Sequence, residues 1–109
     1  MNILILGGGG YVGTPLTAKL LENKNNRVTV VDTFWFGNFL KKNKLLKIIK
    51  KDIRDVDIKW FKGIDTVIHL ANIANDPAVD LNPDLSWDVN VITSIKIIKL
   101  AIKCKVKKF

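Results

Sequence analysis

A chain of 109 residues with a formal net charge of +8 is one domain by length, enough for a single core and short for a complete dinucleotide-dependent enzyme. Its one cysteine, Cys104, excludes an intramolecular disulfide, and with His69 as the sole histidine the composition argues against zinc. No apolar stretch approaches the roughly 20 residues of a spanning helix, and the N-terminus lacks the basic flank of a secretion signal, so no membrane partner and a cytoplasmic address are expected.

The chain opens on Met1-Asn2-Ile3-Leu4-Ile5-Leu6, an apolar run without turn residues that predicts a buried strand. Gly7-Gly8-Gly9-Gly10-Tyr11-Val12-Gly13 ends it abruptly. The cluster contains Gly8-x-Gly10-x-x-Gly13, the dinucleotide fingerprint, and also the wider Gly7-x-x-Gly10-x-x-Gly13. In either register, main-chain N–H groups approach a diphosphate with no Cβ in the way, and the positive end of a helix dipole faces it. Thr14-Pro15 falls in the first helical turn, and Val12, Leu16, Leu20 and Leu21 recur on one face of that helix. Asn23-Lys24-Asn25-Asn26 closes it, and Arg27-Val28-Thr29-Val30-Val31 predicts a second strand. Strand, crossover helix and strand make a βαβ unit with parallel strands.

Asp32 ends the second strand, about 20 residues past the glycine turn, where a dinucleotide fold sets an acid against the adenosine ribose. A carboxylate there accepts from the ribose hydroxyls and repels a 2′-phosphate, so the sequence favours NAD over NADP. In the aromatic segment Phe34 to Leu40, most rings are expected to pack against the domain, leaving one or two for an adenine pocket. Leu45 to Lys50 predicts a third strand, Val56 to Lys62 a short helix with Trp60 and Phe61 inward, and Gly63 its close. Asp65 to Ala71 predicts a fourth strand, so apolar that it is expected in the middle of the sheet. A polar loop spans Asn72 to Asp84. Val89, Ile92, Ile95, Ile98 and Ile102 mark a long helix from Leu85 to Cys104, and Val106 to Phe109 the start of a fifth strand. The fold class is α/β, a Rossmann-type doubly wound parallel sheet cut after four to five strands.

The lysines cluster in 41–44, in 47–51 and from Lys96 to Lys108, interleaved with isoleucine and leucine, as on solvated faces of amphipathic elements. Only Arg27 and Arg54 supply guanidinium groups, and no nucleic-acid motif accompanies the charge, so nucleic acid is not an expected partner. A positive field attracts anionic cofactors and substrates instead. A basic nucleic-acid-binding domain on the same fold and a non-catalytic NAD-sensing module are the alternatives.

With these residues in view, the whole chain resembles the N-terminal part of an extended short-chain dehydrogenase/reductase, in the NAD-dependent nucleotide-sugar epimerase/dehydratase family. Five features match in order: Gly7-x-x-Gly10-Tyr11-Val12-Gly13, Asp32, Asp52-Ile53, His69-Leu70-Ala71 and Asn90-Val91. The resemblance implies that Tyr11 and Val12 lay their N–H groups on the pyrophosphate and that Asp32 binds the adenosine ribose. It implies that Asp52 accepts from the adenine amino group and that Ile53 packs on the ring or bonds it by its main chain. Leu70 and Ala71 would pass beneath the nicotinamide-side ribose, and Asn90 would reach the cofactor or steady the site. His69 is expected to be a packed, hydrogen-bonded strand residue. Asn72 and Ile92 depart from the family pattern, which holds a small residue and glycine there.

Residues 1–109 would thus be the NAD-binding domain, N-terminal part, of an enzyme acting on a nucleotide sugar, a homodimer when complete. The family's Ser or Thr and its Tyr-x-x-x-Lys pair find no counterpart, since Pro15 stands four residues after the only tyrosine, Tyr11. No catalytic residue is therefore assigned, and the chain by itself is expected to be inactive. In the family the long helix often forms half of a dimer interface, so an exposed apolar helix face and self-association are expected.

Overall fold

The structure, a computed structural model, describes residues 1–35, 37–71 and 91–109. Strands β1 (Asn2–Leu6), β2 (Arg27–Asp32), β3 (Leu46–Lys50) and β4 (Thr66–His69) form one parallel sheet in the order β3-β2-β1-β4. Helix α1 (Gly13–Leu21) crosses from β1 to β2, and α2 (Thr93–Lys103) follows β4.

Register explains the two cores. Leu4, Leu6, Val31 and Val67 point to one face, where Ile53, Phe61, Ile97 and Ala101 close over them. Ile3, Ile5, Val28 and Val30 point to the other, covered by Leu20, Leu21, Phe34, Leu40 and Leu46. Being buried on both faces, β1 needs an unbroken apolar run where a half-buried strand would alternate. The chain between β2 and β3 forms no helix among its described residues, so Leu40 and Phe34 cover the sheet where a crossover helix would lie. β3 flanks the sheet with Lys47 and Lys50 exposed, charges that discourage a further strand from pairing there.

Several expectations are corrected. β4 is not central: it ends the four-stranded order, with only Val67 buried, and β1 and β2 hold the middle. Along the outer side of β4 the chain end starts a fifth strand as expected, with a parallel bridge from Thr66 to Lys108 and Val67 N–H donating to the Lys108 carbonyl at 2.9 Å. The expected Val56–Lys62 helix is present as a shorter 3-10 helix, Ile58–Phe61, and a second 3-10 turn, Ile53–Asp55, precedes it. Asp52 and Asp57 each accept from the N–H two residues on, Arg54 and Lys59, and so cap two separate turns. Phe61 is fully buried as expected, while Trp60 packs half-buried at the rim.

On α1 the buried stripe is Gly13 and Thr17, with Leu20 and Leu21 half-buried; Val12 lies outside it at 60% exposure. The 85–104 helix is described from Val91, with α2 proper at Thr93–Lys103, and its earlier residues and the Asn72–Asp84 loop lie outside the described residues. Its inward stripe is Thr93, Ile97 and Ala101. Ile92, Ile95, Ile98 and Ile102 form the outward one, the exposed apolar face expected from the sequence. No helix among the described residues is long and apolar enough to cross a membrane.

Candidate functional site

Because all four strands run parallel, their carboxyl ends share one edge, and that edge gathers the predicted residues. Gly7 leaves β1, Asp32 closes β2, Asp52 and Ile53 follow β3, and Leu70 and Ala71 follow β4. Asn90 lies outside the described residues.

The glycines of the loop serve different neighbours. Gly7 turns at φ +87, and a Cβ there would stand 2.5 Å from the main-chain nitrogen of Ala71. The β1 exit can therefore lie directly on the β4 exit only with glycine. At Gly13 a Cβ would meet the Cα of Gly8 at 2.5 Å, so the missing side chain lets α1 start against the loop. Gly9 faces the Phe34 ring, with 2.6 Å from a Cβ to Cδ1. Gly10 differs: its Cβ would meet nothing nearer than the Gly7 carbonyl oxygen at 3.6 Å. The packing of the described residues leaves that space open, and a diphosphate approaching the loop would use it.

Beside this opening the N–H groups of Tyr11 and Val12 donate to no group among the described residues. Tyr11 itself is 99% exposed, so its side chain packs against no described residue there. Unpaired N–H groups at a helix start, with the dipole behind them, are a ready anion site. Open space at Gly10 and free donors beside it fit a dinucleotide diphosphate.

Asp32 is already aimed. Gly9 N–H donates to its Oδ2 at 3.0 Å, and Phe34 N–H donates to its Oδ1 at 2.7 Å. Each carboxylate oxygen keeps a second acceptor direction, enough for a pair of ribose hydroxyls. Phe34 in this role had no signal in the sequence beyond its place two residues after Asp32.

Asp52 is more committed. Arg54 donates to it through its main-chain N–H at 2.8 Å and its guanidinium at 3.0 and 2.6 Å. The side-chain hydrogen bond from Arg54 holds the Asp52 carboxyl below its usual value of 3.8. Asp52 thus stays ionised, with fewer free acceptor directions than Asp32. Ile53 is 5% exposed and belongs to the core beneath the sheet, which leaves its main chain better placed than its side chain to meet a ring.

His69 meets its expectation as a packed residue. Its Nε2 shares a hydrogen bond with Ser94 Oγ at 2.8 Å, and its ring lies edge-on to Phe109 with centroids 6.5 Å apart. Burial pushes its pKa below 6.5. Ser94 escaped the sequence reading because it lies 25 residues away along the chain.

The profile of the NAD dependent epimerase/dehydratase family matches residues 3–109. A putative UDP-glucose 4-epimerase of Methanocaldococcus jannaschii is 34% identical over 109 residues, covering 97% of this chain and 35% of the relative. Among solved structures, the UDP-N-acetylglucosamine 4-epimerase of Methanobrevibacter ruminantium, in complex with UDP-N-acetylmuramic acid, superposes with a TM-score of 0.87 at 30% identity. That superposition covers 97% of this chain and 35% of the other. The UDP-glucuronic acid 4-epimerase of Bacillus cereus, in complex with NAD, superposes with a TM-score of 0.85 at 29% identity, over 100% of this chain and 38% of the other. The chain thus spans about a third of the length of the relatives it matches.

Proposed function

Because the chain belongs to the NAD-dependent epimerase/dehydratase family over residues 3–109, we propose that it is the NAD-binding part of a cytoplasmic enzyme that epimerises or dehydrates a nucleotide sugar. The observation that carries this is the open space at Gly10 beside the unpaired N–H groups of Tyr11 and Val12, with Asp32 aimed alongside. NAD, when bound, supplies a reversible hydride acceptor for a sugar carbon.

The residues of this chain bind and orient. Gly7, Gly10 and Gly13 shape the loop, Tyr11 and Val12 donate to the diphosphate, and Asp32 accepts from the adenosine ribose. Asp52 and the Ile53 main chain take the adenine edge, while Leu70, Ala71 and Asn90 serve the nicotinamide side. None of them moves a proton in this account, so the chain alone binds cofactor without turning over a nucleotide sugar. The complete protein is a homodimer in which the outward isoleucines of α2 meet a second copy.

The test is calorimetric titration with NAD and NADP of the wild-type chain and of Asp32→Ala. Wild type is expected to prefer NAD by about tenfold or more, a gap of about 1.4 kcal/mol, and Asp32→Ala to lose most of that preference. Equal affinities for the two cofactors in both proteins would overturn the role of Asp32.

A further inference from the structure

Phe34 holds a backbone conformation that bulky residues rarely adopt, with φ +55. Its N–H donates to Asp32 Oδ1 at 2.7 Å, and its ring stands where a Cβ on Gly9 would have to be. Gly9 in turn donates its N–H to the other carboxylate oxygen, Oδ2, at 3.0 Å. Gly9 has no positive φ, so no turn demands glycine at this position. What demands it is the ring: a Cβ would stand within 2.6 Å of Phe34 Cδ1 and 3.2 Å from Asp32 Oδ2. Gly9, Asp32 and Phe34 close into one circuit of contacts, and an unusual backbone held by such a circuit is a pointer to function.

We propose that Phe34 is a positioning residue which, seated on Gly9, fixes the Asp32 carboxylate and thereby sets the preference for NAD over NADP. This rests on the cofactor assignment above. A carboxylate free to rotate would turn away from a 2′-phosphate and relieve the repulsion between like charges. One clamped at both oxygens bears that repulsion in full, while the ribose diol of NAD meets acceptors already ordered and loses no affinity to ordering them. Phe34 acts through Asp32 and needs no contact with the ligand.

The experiment is the same calorimetric pair, NAD and NADP, on the full chain as wild type, Asp32→Ala, Phe34→Ala, Phe34→Gly, Gly9→Ala and the double variant Gly9→Ala/Phe34→Ala. Circular dichroism checks that each is folded. Phe34→Ala and Gly9→Ala are expected to narrow the NAD:NADP affinity ratio by about threefold or more, mostly through weaker NAD binding. Phe34→Gly, which accepts the left-handed backbone and keeps the N–H, should retain more of the ratio than Phe34→Ala. The double variant should match Phe34→Ala, because without the ring the new Cβ has nothing to strike. Should Gly9→Ala fail to fold, Phe34→Ala against Phe34→Gly decides the matter.

Wild-type ratios in the Phe34 variants, alongside a narrowed ratio in Asp32→Ala, would overturn the proposal and leave the cofactor assignment standing. An additive double variant would overturn it too. Absence of saturable NAD binding in wild type would fail the cofactor assignment itself, and an unchanged ratio in Asp32→Ala would overturn the role of Asp32 and this proposal with it.

Discussion

His69 ends β4 with its Nε2 bonded to Ser94 Oγ and its Nδ1 buried with no partner among the described residues. A proton on that ring would bring a charge into a site lined by the Phe109 edge, and burial accordingly lowers the pKa below 6.5. The sign follows from linkage. The unfolded chain takes up this proton first as pH falls, so the stability due to His69 is fully present above 6.5 and is lost as pH drops through the lower folded value. Denaturant titrations between about pH 7 and about pH 5 should show the midpoint falling in wild type and staying nearly level in His69→Gln. Identical pH slopes in the two proteins would contradict the assignment. Asp52 contributes in a separate window. Arg54 keeps its folded pKa below 3.8, so its share of stability is lost only as pH falls through that more acid range.

Among the elements, α2 carries the sharpest consequence. Ile97 and Ala101 bury one stripe against the sheet, while Ile95 and Ile102 on the other are 50% and 72% exposed. Lys96, Lys99 and Lys103 lie among the outward isoleucines, so two copies meeting through this face would bring like charges together. Salt screens that repulsion without weakening apolar contact. Sedimentation should therefore show self-association that strengthens with salt, and Ile95→Gln/Ile102→Gln should return the chain to monomer with unchanged helicity. A wild-type monomer at every salt concentration would count against the outward face as an interface.

Element order was legible because strands and helices differ in period, and the isoleucine spacing of α2 located the helix. It did not reveal which side faces in, since both stripes are apolar and only packing chooses between them. β4 shows the same limit. An apolar run signals burial, but its neighbours along the sheet are settled by crossover geometry, which put β1 and β2 in the middle. The later start of the helix expected over Val56–Lys62 did have a signal, Asp57, able to cap the turn that begins at Ile58.

At the scale of the whole molecule, four parallel strands bring their carboxyl ends to one edge, and the glycine loop, Asp32, Asp52 and Ala71 meet there though they are scattered along the sequence. Motif spacing was enough to place these residues at one edge of the sheet. What it could not supply was the division of labour within the loop: Gly7 for the β4 exit, Gly9 for Phe34, Gly10 for open space. The formal charge of +8 adds a field that draws anions toward the chain without choosing where they settle. In the proposed function that choice falls to the N–H groups of Tyr11 and Val12, which donate to no group among the described residues, and amide chemical shifts report on them directly. In a titration of the isotope-labelled chain with NAD, the largest saturable shifts should fall on Gly9, Gly10, Tyr11, Val12 and Phe34. Shifts confined to the lysine-rich segments 41–51 and α2, with the glycine loop unmoved, would contradict the account.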